Sequence, residues 1–127
     1  MKSALLLETV FQALADRTRL RLLNLVAESE VCVCFFVEVL GEPQPKISRH
    51  LAVLRAAGLV EARREGKWMH YRRSVPEHLQ SMFAALTVTM ENDPDLQRDR
   101  AALARACCSP GVPDLLKRAP KPALAAT

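Results

Sequence analysis

Two cysteines one residue apart, Cys32 and Cys34, lie in the apolar segment "EVCVCFFVEVLG" of residues 30–41. Thiolates are the side-chain ligands that soft metal ions prefer, so the pair is a candidate metal site. The alternation of the two thiols is typical of a strand, whereas the apolar run that follows favours a core helix. The pair alone is a weak signal, because buried structural cysteines are common.

A regular helix would place the two thiols on different faces. Residues two apart on a helix point roughly 200° away from each other. Metal–sulfur bonds of about 2.3 Å, as for zinc, require the two sulfur atoms to lie within roughly 4 Å. If residues 30–41 are helical, we therefore expect ligand binding to distort the first turn, and a ligand that prefers one of two conformations acts as a switch. A helix N-terminus would also lower the thiol pKa.

The elements around this pair are mostly helical. The chain of 127 residues is long enough for one domain, which we place at residues 1–108, with a Pro- and Ala-rich tail over residues 109–127. Asp16 is a candidate helix N-cap, and Gly41 a candidate C-cap. Apolar spacing predicts helices over residues 3–14, 17–28, 30–41, 46–58, 76–90 and 95–108, and a basic β-hairpin over residues 59–74.

The composition is that of an ordinary globular protein, with 50% hydrophobic and 25% charged residues. The N-terminal segment has amphipathic spacing and no small-residue cleavage site, unlike a signal peptide. No apolar run approaches the roughly 20 residues that span a bilayer. We therefore expect a soluble cytoplasmic protein without a membrane partner, in which thiols stay reduced and serve metal or redox chemistry.

Positive charge is concentrated in the middle of the chain. Residues 45–73 contain eight basic and two acidic side chains, whereas the whole chain carries a net charge of only +4. A basic segment inside a slightly acidic remainder is the electrostatic pattern of a polyanion binder. A solvated charged face is the simpler alternative, and charge alone does not decide between them.

The order helix, turn, helix and basic hairpin predicts a winged helix-turn-helix. The helix that begins near Gln44 would enter the major groove of DNA with its N-terminal residues nearest the bases. Gln44 is suited to adenine, Arg49 to guanine and Ser48 to either base. Lys46 is suited to a phosphate, and His50 to a base or a phosphate.

The tip of the hairpin is also a candidate DNA contact. Arg63, Arg64 and Lys67 would lie along the phosphate backbone or in the minor groove. Trp68 and Tyr71 are better explained as packing residues that hold the hairpin. No histidine has an evident nucleophile or carboxylate partner, and there is no phosphate-binding loop, so we do not expect an enzyme.

Three stretches resemble the ArsR/SmtB family of metal-responsive repressors, and its arsenic-sensing branch most closely. They are "ALADRTRLRLLNLV", "EVCVCFFVEVLG" and "QPKISRHLAVLRAAGLVEARREGKWMHYR". The resemblance implies a homodimer joined through its first and last helices, bound to a twofold-symmetric double-stranded operator and released when metal binds. It also implies that "CVC" binds arsenite, antimonite or cadmium-type ions. The arsenic branch reads C-V-C-D-L-C. This chain has Phe35 at the Asp position and Val37 at the position of the third Cys.

Because residues 30–41 lack the third thiol of the arsenic branch, Cys107 and Cys108 are candidates for a third ligand. These cysteines follow a helix that could return over a dimer, so one of them could complete a three-thiol site in its own subunit or across the twofold axis. They could instead form a separate vicinal pair, or have no role in binding. Two adjacent cysteines at a helix end are unusual by chance, which favours participation.

The sequence therefore predicts a repressor that leaves DNA when its thiolates bind arsenite or antimonite, the inducers, without an organic cofactor. Two alternatives remain at this stage. One is a cadmium-, lead- or zinc-responsive repressor with four thiolate ligands. The other is a redox-sensing repressor in which a cysteine pair oxidises.

Overall fold

The fold consists of six helices and a small antiparallel sheet within the part of the chain that the structure describes. The structure is a computed structural model, and it describes residues 7–108 and residue 120. The elements are α1 (Leu7–Leu14), α2 (Arg17–Leu25), β1 (Val31–Cys32), α3 (Val33–Leu40), α4 (Gln44–Ala56), β2 (Val60–Glu65), β3 (Trp68–Arg73), a 3-10 turn (Glu77–Leu79), α5 (Gln80–Glu91) and α6 (Pro94–Cys108).

Helix α2 begins at the predicted cap. The Asp16 carboxylate accepts a hydrogen bond from the backbone N–H of Arg19 at 3.1 Å, which satisfies one of the free donors of the first turn. The same helix packs against α6 through a salt bridge of 2.7 Å between Arg21 Nε and the buried Asp99. Asn24, also buried, donates to the backbone oxygen of Leu96 at 2.9 Å. These contacts fix α2 against α6.

The segment of residues 30–41 is neither all strand nor all helix. Its first two apolar residues form β1, and α3 begins directly afterwards at Val33. Cys32 has the extended backbone angles φ −72° and ψ 143° and is the N-cap of α3. Gly41 ends that helix in the left-handed region with φ 66°, as its C-cap position predicted. Our expectation of a helix across the whole segment was therefore wrong for Cys32.

Helix α4 buries the side that its apolar spacing predicted. Ile47, Leu51 and Leu54 are all buried. Pro43 precedes the helix as its N-cap, and a second proline follows within its first turn, where a missing N–H breaks no helical hydrogen bond. The opposite side of α4 stays free of the core, which leaves it available to a partner.

The predicted hairpin is confirmed, but it belongs to a three-stranded sheet. Strands β2 and β3 pair antiparallel from Val60↔Arg73 to Glu65↔Trp68, and Gly66 makes the turn with φ 60°. Strand β1 pairs with the other edge of β3, so the strand order is β1-β3-β2. The sequence analysis missed β1, because two residues are too few to show a period. We call β2, β3 and their turn the wing.

The core joins the helices to the wing. Phe35 and Phe36 of α3 are fully buried, and the ring of Phe36 lies 6.3 Å from that of Tyr71 in β3. Within residues 7–108, no helix combines the length and apolar composition that crossing a bilayer requires. The tail predicted over residues 109–127 lies outside the described residues, apart from Pro120.

Candidate ligand and nucleic-acid sites

The two thiols of residues 32 and 34 lie side by side. The Sγ atoms of Cys32 and Cys34 are 3.2 Å apart. Cys32 is fully buried and Cys34 is partly exposed, so the pair has one sulfur in the core and one that solvent can reach. We refer to these two residues as the thiol pair.

This proximity corrects the sequence-based expectation that the first turn must distort before both sulfurs reach one atom. That expectation assumed helical angles at Cys32. Because Cys32 is extended and only Cys34 is helical, the chain turns between them and both side chains point the same way. The separation is already inside the roughly 4 Å that two thiolates on one metal require. The pair is therefore preorganised for a shared ligand.

The hydrogen bond between the two sulfurs lowers the pKa of one thiol and raises the pKa of the other. The Cys34 thiol donates a hydrogen bond to Cys32, and this bond, helped by the backbone N–H groups of Cys34 and Val33, lowers the pKa of Cys32 to about 6. The same bond and burial raise the pKa of Cys34. At neutral pH the pair thus holds one thiolate and one shared proton, and a thiolate is the form that binds soft ions.

The thiol pair is not part of a larger cluster of metal ligands among the described side chains. Among the side chains that the structure describes, no three His, Cys, Asp or Glu residues form a group that could hold a metal ion. Val37, at the position where the resemblance expects a third thiol, packs against the hydrophobic core instead. Helix α6 runs to Cys108, but the side chains of Cys107 and Cys108 lie outside the described residues. Two thiolates fit a species with two open bonds.

A histidine that the sequence analysis did not assign lies beside the thiol pair. Cys32 pairs with His70 across β1 and β3, and His70 pairs with Arg63 across β3 and β2. Directly opposite residues share a face of a sheet, so a thiol, an imidazole and a guanidinium form one row. His70 is buried, and its Nε2 lies 3.3 Å from Glu65 without making a hydrogen bond.

Glu30, the residue just before β1, contacts the arginine at the end of this row. Its carboxylate accepts hydrogen bonds from Arg63 Nη2 at 2.6 Å and from Arg63 Nε at 3.1 Å. Arg63 lowers the pKa of Glu30, so the carboxylate stays charged at neutral pH. Local sequence patterns do not reveal this pair, because its residues are 33 positions apart. A residue that we assigned to DNA is therefore held by an acid next to the thiols.

The exposed side of α4 carries three of its five candidate DNA contacts. Gln44, Ser48 and Arg49 are exposed. Lys46 Nζ lies 3.2 Å from Glu42, so an acid partly neutralises it. His50 turns toward α2, where its Nδ1 lies 3.1 Å from Arg19. The structure thus leaves an amide, a hydroxyl and a guanidinium on one helix face, a combination that can bond the edges of bases.

The wing presents its other two candidate cations to solvent. Arg64 and Lys67 are exposed, and the Lys67 ammonium lies 5.1 Å from the centre of the Trp68 ring. Trp68 and Tyr71 pack against the core, as the sequence predicted. Its neighbour Arg63 pairs with Glu30 and Glu65, whereas Arg64 forms no ion pair among the described residues. The wing therefore offers free positive charge beside the one arginine that Glu30 holds.

Comparison with known proteins agrees with this geometry. The family profile described as "Bacterial regulatory protein, arsR family" matches residues 16–62. The arsenical resistance operon repressor of Escherichia coli K12 is 53% identical over 66 residues, which are 51% of this chain and 56% of that protein. The arsenic resistance transcriptional regulator ArsR2 of Pseudomonas putida is 42% identical over 93 residues, which are 72% of this chain and 80% of that protein.

A solved structure supports the same architecture. The homodimeric winged helix-turn-helix DNA-binding domain of Mb0332 from Mycobacterium bovis is similar with a TM-score of 0.57 and 36% identity, over 66% of this chain and 77% of that one. Two helices joined by a short turn, followed by a basic hairpin, define a winged helix-turn-helix regulator. The chain belongs to the arsR family of bacterial regulatory proteins.

Proposed function

We propose that this chain is a transcriptional repressor that binds operator DNA as a homodimer and releases it when a trivalent metalloid, arsenite or antimonite, binds the thiol pair. The observation that carries the proposal is the 3.2 Å separation of two sulfurs at the start of the helix before α4. The relatives with arsenical resistance in their names support the choice of a metalloid. The chain spans 56% of the length of the Escherichia coli repressor.

The chemistry of the thiol pair favours soft, thiophilic ligands. A thiolate on Cys32 and a partly exposed thiol on Cys34 would each form one bond to the same arsenic or antimony atom while two of its bonds to hydroxide break. The shared proton would leave with one of these hydroxides as water, and the other would leave as hydroxide. Hard cations prefer oxygen donors. Two sulfurs alone also suit a monomethyl arsenical, whereas arsenite itself takes a third thiolate if Cys107 or Cys108 supplies one.

The DNA-binding half of the proposal rests on α4 and the wing. Gln44, Ser48 and Arg49 would meet base edges in the major groove, while Lys46, Arg64 and Lys67 would meet phosphates. His50 would act by holding α4 against α2 at its 3.1 Å contact with Arg19. A twofold operator requires two copies of this surface, which is why the proposal includes a dimer.

The dimer would use α1 and α6, the first and last helices of the described range. Leu7 and Phe11, one helical turn apart on α1, are 53% and 50% exposed. Apolar side chains at that spacing form a stripe that a partner helix would cover. The homodimeric state of the similar Mycobacterium bovis domain supports this choice.

Fluorescence anisotropy on a labelled duplex from upstream of the gene tests the proposal. The protein, kept reduced, is bound to the duplex and titrated with arsenite, antimonite, methylarsenite, cadmium and zinc. We expect the trivalent metalloids to release DNA at lower concentrations than the divalent ions. Release by cadmium or zinc at lower concentrations would favour a four-thiolate site for divalent metals and overturn the metalloid proposal.

Cysteine variants assign the site in the same assay. Cys32→Ser and Cys34→Ser should bind the duplex like the unaltered protein and lose release by the metalloid. A variant with both Cys107→Ser and Cys108→Ser leaves the thiol pair and tests the third ligand: loss of release by arsenite with retained release by methylarsenite would assign a third thiolate to Cys107 or Cys108. If both of the first two variants still release DNA, the thiol pair is not the inducer site.

Oxidation of the thiol pair is a second candidate function, and the short Sγ–Sγ distance favours it. Hydrogen peroxide would take two electrons from the thiolate and the thiol, so that one S–S bond forms and the O–O bond breaks. The shared proton and one proton from solvent would leave with the two oxygens as two waters. Peroxide without metalloid would then release DNA, and a dithiol would restore binding. Unchanged anisotropy with peroxide would exclude this function.

A further inference from the structure

The pair between Glu30 and Arg63 gives the wing a cation that is not free to meet DNA. Three contacts between 2.6 and 3.2 Å join the guanidinium to the carboxylate, in the two-pronged geometry that makes such pairs strong. A second carboxylate, that of Glu65, lies 3.6 Å from Arg63 Nη1. Arg63 is nevertheless half exposed at its side chain, so a phosphate could reach the same guanidinium from solvent.

We propose that Glu30 competes with DNA phosphate for Arg63 and thereby lowers the affinity of the wing for DNA. A guanidinium held by a carboxylate contributes no net positive charge, whereas the same group on a phosphate releases counterions and adds affinity. This inference rests on the proposed DNA-binding function.

The position of Glu30 links its ion pair with Arg63 to the thiol pair. An exposed ion pair of this kind stabilises a fold by about 1 kcal/mol or less. Glu30 stands two residues before Cys32, at the end of the row that joins Cys32, His70 and Arg63 across the sheet. Its distance from Arg63 therefore depends on the same backbone that carries the buried thiol.

Neutralising Glu30 tests the competition in metal-free protein. Glu30→Gln keeps the size of the side chain and removes its charge, so Arg63 becomes available to phosphate. We expect tighter binding to DNA and a slope of log affinity against log salt that is steeper by about 0.9 for each subunit. A structural role for Glu30 would not increase the slope. Because phosphate contacts are independent of sequence, an unrelated duplex should show the same change.

Two controls isolate the effect. Glu28→Gln removes an equal charge from an acid that pairs with Arg100 of α6 at 3.0 Å, away from the sheet, and should leave the slope unchanged. Arg63→Gln should abolish the effect, so that adding Glu30→Gln to it changes nothing further. Thermal unfolding of each variant shows whether it remains folded.

The outcomes separate this inference from the proposed function. Equal slopes for Glu30→Gln and Glu28→Gln, or an effect of Glu30→Gln that persists without Arg63, would overturn the competition. If the competition holds and no metalloid releases DNA, the inducer is wrong and the inference stands. If the protein binds no duplex at low salt, both fall together.

Discussion

At the scale of single residues, the decisive feature is the backbone conformation of Cys32. The sequence identified the two cysteines but not their mutual geometry, since a spacing of two places thiols on opposite sides of a helix and on the same side of a strand. The structure combines the two conformations, because Cys32 is extended and Cys34 is helical. This combination places the two sulfurs 3.2 Å apart. Cys32 is extended where β1 pairs with the distant strand β3, and local sequence patterns carry no information about that pairing.

Replacing Cys34 should raise the pKa of Cys32. Cys34→Ala removes the S–H donor that is the main cause of the low pKa of Cys32, so the thiolate should form only at higher pH. With Cys34 present, thiolate absorbance in the ultraviolet should disappear as pH falls through about 6. A background with Cys107→Ser and Cys108→Ser removes other thiolates. Identical titration curves with and without Cys34 would contradict the assigned hydrogen bond.

Arg49 should contribute to the choice of DNA sequence. It lies on the exposed side of α4, and a bidentate bond to guanine is worth about 1–3 kcal/mol of discrimination. Arg49→Ala should therefore weaken operator binding by that amount and unrelated DNA far less, as measured by anisotropy on both duplexes. Arg55→Ala, near the C-terminal end of the same helix, is the control. Equal losses on both duplexes would mean that Arg49 contacts only phosphate.

At the scale of secondary structure, regular periods were predicted and short elements were not. The i, i+4, i+7 spacing of Ile47, Leu51 and Leu54 predicted the buried side of α4. The alternation and Glu65–Gly66 turn predicted the wing hairpin. Strand β1 and the Glu30–Arg63 pair escaped, because each depends on a partner more than 30 residues away in sequence.

Gly41 should be important for the turn between α3 and α4. Its φ of 66° is unfavourable for residues with a side chain, while an added Cβ would meet no atom within 4 Å. Gly41→Ala should therefore lower the free energy of unfolding by about 1–2 kcal/mol through backbone strain alone. Urea denaturation measures the change. Gly41→Asn should cost less, since asparagine tolerates this region, and an equal cost for both would point to another cause.

At the scale of the whole molecule, apolar residues remain uncovered on α1 and α5. Leu7 and Phe11 of α1 and Val88 of α5 are each at least half exposed. The family resemblance predicted pairing through the first and last helices, which would cover only the α1 residues. The sequence alone does not distinguish these surfaces, because both helices are amphipathic and each has other apolar residues in the core.

Phe11→Glu should weaken dimerisation. A carboxylate in an apolar contact between subunits must lose its hydration without gaining a partner. Sedimentation velocity over a dilution series should show dissociation at higher concentration than for the unaltered protein, with a parallel loss of operator affinity. Val88→Glu is the control, because Val88 is similarly exposed but lies on α5. Greater dissociation with Val88→Glu would place the dimer contact on α5.

Strand β1 attaches the wing to the segment that contains Cys32. An isolated hairpin pivots about its base, whereas this one is hydrogen-bonded along its inner edge to the strand that contains Cys32. A lateral shift of Cys32 would consequently also displace β3 and with it the wing. If the wing contacts DNA as proposed, a ligand that displaces Cys32 would alter that contact through β1 and β3 without acting through α4.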